Sequence, residues 1–215
     1  MRVVIAGGHG QIALRLERLL AERGDAPVGL IRNPEQAGDL IAVGAEPVVA
    51  DLEHVSIASL AATLAGADAV VFAAGAGPGS GDDRKQTVDL GASVLLADAA
   101  QQAGVRRFVQ VSSMGADRED LGSDTFSIYL RAKAQAEADL RGRDLDWTIL
   151  RPGGLINEPG TGKVALAAKT GRGQVPREDV AAVLLALLDA PTTAGLTIEL
   201  IGGDALIGDA VAGLS

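Results

Sequence analysis

The 215-residue chain contains no cysteine, which excludes disulfide bonds, thiolate catalysis and cysteine-type zinc sites. Aromatic residues are almost as scarce, with one Trp, one Tyr and three Phe. Because 47% of the residues are nonetheless hydrophobic, mostly Ala, Leu and Val, the core must arise from close packing of helices on a sheet through small side chains. No apolar run approaches the roughly 18 residues that a membrane-spanning helix requires. The N-terminus opens on a strand pattern rather than a signal peptide, so a cytoplasmic protein without a membrane partner is expected. Basic residues are outnumbered, and the formal net charge of −9 argues against a nucleic-acid partner, since phosphate neutralisation needs basic patches. The pair Arg106-Arg107 is expected at a helix end, where cations meet the dipole. His54 has no plausible partner in the sequence, and no metal site is read.

What is present begins with Gly7-Gly8-His9-Gly10-Gln11-Ile12-Ala13. Val3, Val4 and Ile5 ahead of it form the apolar run of a strand buried on both faces of a parallel sheet. Behind it, Ile12, Leu16, Leu19 and Leu20 make the stripe of an amphipathic helix. A glycine turn between strand and helix directs backbone N–H groups and the positive end of the helix dipole at a phosphate. Gly8-x-Gly10-x-x-Ala13 fits the general dinucleotide fingerprint, and Gly7-x-x-Gly10-x-x-Ala13 fits its wider-spaced variant. No Gly-Lys-Ser/Thr follows, which disfavours a mononucleotide loop. The second strand is expected at Val28–Ile31. About 20 positions past the fingerprint, where NAD-binding turns carry an acid, stand Arg32, Asn33 and Pro34. A guanidinium fork suits a 2′-phosphate, so NADP(H) is favoured over NAD(H).

Helix and strand signals then alternate. Strands are expected at Pro47–Ala50, Asp68–Ala74, Phe108–Val111, Trp147–Leu150 and Thr197–Ile201. Helices are expected at Glu35–Val43, Ser59–Leu64, Gln86–Ala103, Ser127–Arg141 and Asp179–Asp189. Residues 75–81, rich in Gly and Pro, cannot hold regular structure. This pattern predicts one α/β domain over residues 1–215, a doubly wound parallel sheet of about seven strands with helices on both faces. A small glycine-rich portion, residues 153–176, is expected to face the substrate. Ligands bind off the carboxyl ends of such strands, where Gly7, Arg32, Asp51, Ala73, Ser112 and Arg151 fall.

Ser112-Ser113 closes the fifth strand, and Tyr129 and Lys133 follow on one helix face at i and i+4. An ammonium beside a phenol stabilises the phenolate. Such a tyrosine can exchange a proton with a carbonyl or alcohol while a nicotinamide carries hydride, and a serine hydroxyl can hold the substrate oxygen. The chain has one tyrosine and four lysines, so an accidental Tyr/Lys pair at this spacing is improbable.

The glycine turn, Val111-Ser112-Ser113, Tyr129-x-x-x-Lys133 and Arg151-Pro152-Gly153 together resemble the short-chain dehydrogenase/reductase superfamily. Ile31-Arg32-Asn33-Pro34, Val88-Asp89-Leu90-Gly91-Ala92, Gly104 to Ser113 and Thr148 to Gly154 resemble, more narrowly, its atypical NAD(P)H-binding group related to NmrA-like and biliverdin-reductase-B-like proteins. The resemblance spans nearly the whole chain. It implies that Gly7, Gly10 and Ala13 shape the phosphate turn, with contacts from His9, Gln11 and Ile12. It places Arg32 and Asn33 at the adenosine phosphate, Asp51 and Leu52 at the adenine, and Ala73, Ala74 and Gly75 at the ribose. Tyr129 and Lys133 would flank the nicotinamide, beside a strand-six loop of Arg151, Pro152, Gly153 and Gly154. Ser113 is the chosen catalytic serine and Ser112 its structural neighbour. Three departures stand out: Ala73-Ala74-Gly75 replaces the family's Asn-Ala-Gly, Asp89 replaces a helical asparagine, and Met114 occupies the position where some relatives carry the serine. The resemblance implies an NADPH-dependent reductase of a small carbonyl or quinone-like substrate. The alternatives are a non-catalytic NADP(H) sensor with a regulatory protein partner, and a nucleotide-sugar epimerase or dehydratase. A homo-oligomer is compatible with each. The epimerase is disfavoured because relatives of that kind carry a sizeable C-terminal substrate domain.

Overall fold

The computed structural model describes residues 1–77 and 81–214. The first half runs β1 (Arg2–Ala6), α1 (Gln11–Glu22), β2 (Ala26–Ile31), α2 (Ala37–Ala42), β3 (Glu46–Val49), α3 (Ile57–Leu64) and β4 (Ala69–Phe72). The second continues through α4 (Asp82–Arg84), a π-helical turn (Lys85–Gly91), α5 (Ala92–Ala103), β5 (Arg107–Val111), α6 (Thr125–Arg141) and β6 (Asp146–Pro152). It closes with β7 (Gly154–Ile156), β8 (Lys163–Ala167), β9 (Gln174–Pro176), α7 (Arg177–Leu188), β10 (Leu196–Gly202), β11 (Ala205–Leu206) and α8 (Ile207–Ala212).

The main sheet has nine strands in the order β11-β8-β10-β6-β5-β4-β1-β2-β3. Strand order reverses between β1 and β4, which is where a doubly wound sheet opens a ligand crevice. Val3, Val4, Ile5 and Ala6 are all fully buried, and the pleat divides them between two cores. Val3 and Ile5 meet Leu16, Leu20, Val180 and Leu184 from α1 and α7. On the opposite face Val4 and Ala6 meet Leu60, Leu64, Leu96 and Ala100 from α3 and α5. Phe72 and Phe108 serve only this second core; the other is built from aliphatic side chains, as the scarcity of aromatics requires.

Several expectations need correction. The sheet has nine strands rather than about seven, and it is mixed, because β8 runs antiparallel to both β10 and β11. Residues 153–176 are not a bare glycine-rich insertion. They carry β8 in the main sheet, with Val164 fully buried, and a separate two-stranded ladder of β7 and β9. The expected helix from Gln86 is π-helical as far as Gly91 and α-helical only from Ala92, and Gly104 closes it at φ +73°. Arg106-Arg107 lies at the start of β5, not at a helix end. There Arg106 pairs with Asp144 and Asp146 at 3.0 and 3.1 Å, and Arg107 donates to the Leu187 carbonyl at 2.6 Å. The irregular stretch holds for 75–77; residues 78–80 lie outside the described residues.

One buried charge-bearing group stands apart. Glu17, on the inner face of α1, is 0% exposed, and neither carboxyl oxygen has a hydrogen-bond partner. Desolvation pushes its pKa up to about 8. Gly29 in β2 makes the room: a Cβ there would lie 2.5 Å from Glu17 Oε1 and 2.3 Å from a Leu40 methyl.

Candidate active site

The glycine turn sits at the switch point. Gly7 adopts φ +80°, and a Cβ on it would lie 2.7 Å from the Ala74 Cα at the end of β4, so only glycine lets the turn lie this close to the neighbouring strand. The Gly10 amide donates to the Gly7 carbonyl at 2.8 Å and closes the turn. No side chain caps α1, and its first turn carries no acidic residue. The first-turn amides of a helix have no intrahelical acceptor, and no carboxylate within this turn of α1 opposes them. A pyrophosphate fits this arrangement.

Beside the turn, Gly7, His9, Gly10, Arg32, Asp51 and Leu52 line a cavity of about 310 Å³. Its far wall is Ala73, Ala74 and Gly75. His9 turns its Nε2 to Asp39 at 2.7 Å. Asp51 accepts the Glu53 amide at 3.1 Å and the exposed His54 ring at 3.0 Å, so His54 has a partner that the sequence did not show. These bonds hold the Asp51 carboxyl below its ordinary range against the opposing effect of desolvation. Arg32 is 57% exposed and reaches Glu53 at only 3.5 Å. Glu53 itself is fixed by Thr87 at 2.6 Å and Arg84 at 2.8 Å, the Thr87 bond first among the causes that lower its pKa. Glu53 and Arg84, both in this cavity wall, were not singled out from the sequence. Two expected residues lie outside the lining. Gln11 opens α1, and Asn33 spends its side chain capping the 3₁₀ turn at Pro34 by accepting from the Glu35 amide at 3.0 Å.

Ala73, Ala74 and Gly75 also border a second cavity, of about 560 Å³, so the two chambers adjoin along the end of β4. Ile12, Ser113, Tyr129, Lys133, Pro152 and Gly153 line it. The helical spacing does place Tyr129 and Lys133 together: the Lys133 Nζ lies 5.7 Å from the Tyr129 ring centroid. Lys133 is buried and bonded to the Ala74 and Val111 carbonyls at 3.3 and 3.4 Å. Its counter-ion is the fully buried Asp89, at 3.1 Å; the other Asp89 oxygen accepts the Ala76 amide at 3.1 Å. The departure from asparagine at this position thus supplies the charge that neutralises Lys133. The π-helical turn also brings Lys85 to this cavity, a residue the sequence did not single out. π-Bulges recur at functional sites because the extra residue per turn re-aims side chains.

The two serines differ in what holds them. The Ser112 hydroxyl donates to Glu137 at 2.6 Å, inside a buried network in which Arg151 grips the same carboxylate at 2.8 and 2.5 Å and reaches Asp117 at 3.0 Å. The Ser113 hydroxyl has only a 3.4 Å contact with the Met114 carbonyl; both serines line the cavity. Arg151 is therefore corrected: it is a residue of β6, 5% exposed, outside the lining of both cavities. Burial opposes its charge, but Glu137 and Asp117 hold its pKa above the ordinary value.

The chain as a whole is similar to known proteins. A family model described as NAD(P)H-binding matches residues 7–191. A Bacillus subtilis (strain 168) protein, YhfK, carrying the name of an uncharacterized sugar epimerase, is 39% identical over 212 residues, covering 98% of this chain and 99% of that one. A Bacillus halodurans structure provisionally described as an NAD-dependent epimerase/dehydratase is 39% identical, with a TM-score of 0.93 over 100% of both chains. ChuY, an anaerobillin reductase of Escherichia coli O157:H7, is 26% identical, with a TM-score of 0.80 over 95% of this chain and 98% of its own. Matched by the family model over residues 7–191 and by these relatives over nearly the whole chain, the protein belongs to the NAD(P)H-binding family of atypical short-chain dehydrogenases/reductases.

Proposed function

We propose that the protein is an NADPH-dependent oxidoreductase that reduces a small carbonyl or quinone-like substrate in the larger cavity. The observation that carries this reading is the half-buried Tyr129 in the cavity wall, with the buried Lys133 ammonium 5.7 Å from its ring centroid. When bound, a reduced nicotinamide supplies the hydride. Tyr129 donates its phenolic proton to the carbonyl oxygen as charge develops there. Lys133 stabilises the phenolate left behind, and Asp89 with two main-chain carbonyls fixes the ammonium so that no reorganisation is needed at that moment. Ser113, whose hydroxyl is not committed to the Glu137 network, holds the substrate oxygen. Gly7, His9, Gly10 and Ile12 would hold the pyrophosphate, and Pro152 and Gly153 the nicotinamide end.

NADPH is favoured over NADH by Arg32 and Arg84 on the rim of the smaller cavity. Arg32 is only loosely tied to Glu53 and is free to turn to a 2′-phosphate. Arg32→Glu, which places a second acid beside Glu53, is expected to weaken NADPH binding roughly ten- to hundredfold and NADH binding far less. Calorimetric titration with both cofactors checks this; equal losses would undo the assignment of Arg32.

The epimerase names of two relatives favour a second reading, a nucleotide-sugar epimerase. Against it, β8, β10 and β11 beyond the site are strands of the main sheet, and α8 packs in the α7 core, which leaves no separate substrate domain among the described residues. The test is NADPH oxidation against a panel of aldehydes, ketones and quinones. One alcohol or hydroquinone formed per NADPH consumed is expected. Saturable NADPH binding without turnover of any of them would favour a sensor instead.

A further inference from the structure

Lys133 has an obvious reason to be buried; Lys85 does not. Lys85 is 6% exposed and its Nζ lies 5.7 Å from the Tyr129 ring centroid, the same distance as that of Lys133. Tyr129 is thus flanked by two buried ammonium groups in one cavity. Lys133 has its carboxylate in Asp89. Lys85 donates to the Gly77 carbonyl at 2.7 Å, and among the described residues no carboxylate pairs with it. An ammonium carries three donors, and removing one from water without an opposing charge is costly. The π-helical turn that carries Lys85 bends this cation inward, whereas its sequence neighbours Asp82 and Asp83 are exposed. The remainder of the chamber offers apolar surface from Ile12, Leu155 and the 59%-exposed Phe126, which stacks on Tyr129 with ring centroids 5.8 Å apart.

We propose that Lys85 binds an anionic group of the substrate, and that the substrate class is a carbonyl compound with a carboxylate near the reacting carbon and an apolar body. This rests on the reductase reading above and narrows it. The carboxylate pairs with Lys85 while the carbonyl oxygen meets Tyr129. The carbonyl carbon takes a hydride from the reduced nicotinamide as the C=O π pair takes the Tyr129 proton. A hydroxy acid and the oxidised nicotinamide result, and the phenolate is reprotonated from water. Lys85 is then a positioning and specificity residue and donates no proton.

The probes are benzoylformate and its uncharged methyl ester, titrated calorimetrically into the protein with and without NADP⁺, and offered as substrates with NADPH. The wild type is expected to bind the acid roughly ten- to hundredfold more tightly than the ester, the range of a charge-assisted bond. Lys85→Met is expected to lose that preference through the acid, with its KM rising much more than its kcat falls. Lys85→Arg, which keeps the charge, is expected to retain most of the preference, and thermal unfolding of both variants shows whether either has lost the fold. Equal binding of acid and ester by the wild type, no detectable binding of the acid, or a preference that survives in Lys85→Met would overturn the proposal. So would a loss of NADP⁺ affinity in Lys85→Met with the acid preference intact. Because binding is read directly, a preference seen without turnover would separate a correct Lys85 assignment from a failed reductase reading.

Discussion

Replacing Glu17 with Gln is expected to make the protein more stable at pH 8 and to remove much of its loss of stability between mildly acidic and mildly alkaline pH. The cause is burial without compensation: Glu17 is 0% exposed and both its oxygens lack partners. Its ordinary pKa of 4.5 applies in the unfolded chain, and burial raises it to about 8 in the native state. Between these values the unfolded state has released the proton and the native state still holds it. The native state therefore binds more protons, and the free energy of unfolding falls as pH rises. Below the lower value both states are protonated, and above the upper value both are ionised, so the contribution is flat outside the window. Within it the slope is about 1.4 kcal/mol per pH unit for one group, which for a chain of this size corresponds to roughly 2–4 °C in Tm per kcal/mol. Glutamine leaves an unpaired buried amide, so the gain at pH 8 is smaller than the full ionisation penalty. Thermal unfolding of both proteins from pH 5 to pH 9 checks this, with wild-type and Glu17→Gln curves expected to converge at the acid end and separate toward pH 8. Parallel curves would contradict it.

What the sequence discloses about this molecule is what depends on short-range pattern. The β1 run, the glycine turn and the α1 stripe are contiguous, and the observed β1 and α1 follow them closely. Tyr129 and Lys133 are legible because one helix face brings i and i+4 together, and their meeting needs no distant partner. The elements that were missed depend on distant ones. Lys163–Ala167 becomes a strand by pairing with β10, more than thirty residues on, and nothing in its own alternation separates it from a glycine-rich loop. The local sequence of Arg151 reads as that of a loop residue, whereas the fold pairs it with Glu137 on α6. Asp179, in the first turn of α7, is buried and accepts the Thr161 and Gly162 amides, each at 2.9 Å, tying down the loop before β8, a partnership with residues well upstream that no local pattern discloses. Lys85 follows three charged residues, Asp82, Asp83 and Arg84, as a solvated turn would, yet it is buried at the start of the π-helical turn.

Tyr129→Phe carries the largest expected effect on activity. The substitution keeps the ring, its stacking on Phe126 and its approach to Lys85 and Lys133, and it removes only the hydroxyl. A positioned general acid contributes roughly 10²- to 10⁴-fold to such a step, so kcat for carbonyl reduction is expected to fall within that range. NADPH affinity is expected to change little, because the glycine turn, Arg32 and Lys133 are untouched. Lys133→Met is not an equivalent test, since it would leave Asp89 buried without its counter-ion, and a lost activity could then reflect a lost fold.

The most direct measurement is NADPH oxidation with a panel of aldehydes, ketones and quinones, followed at the nicotinamide absorbance with wild type and Tyr129→Phe side by side and NADPH binding measured on both. The account predicts carbonyl turnover by the wild type that falls at least about a hundredfold in the variant while both bind NADPH alike. Carbonyl reduction that proceeds equally well without the hydroxyl would contradict the role assigned to Tyr129.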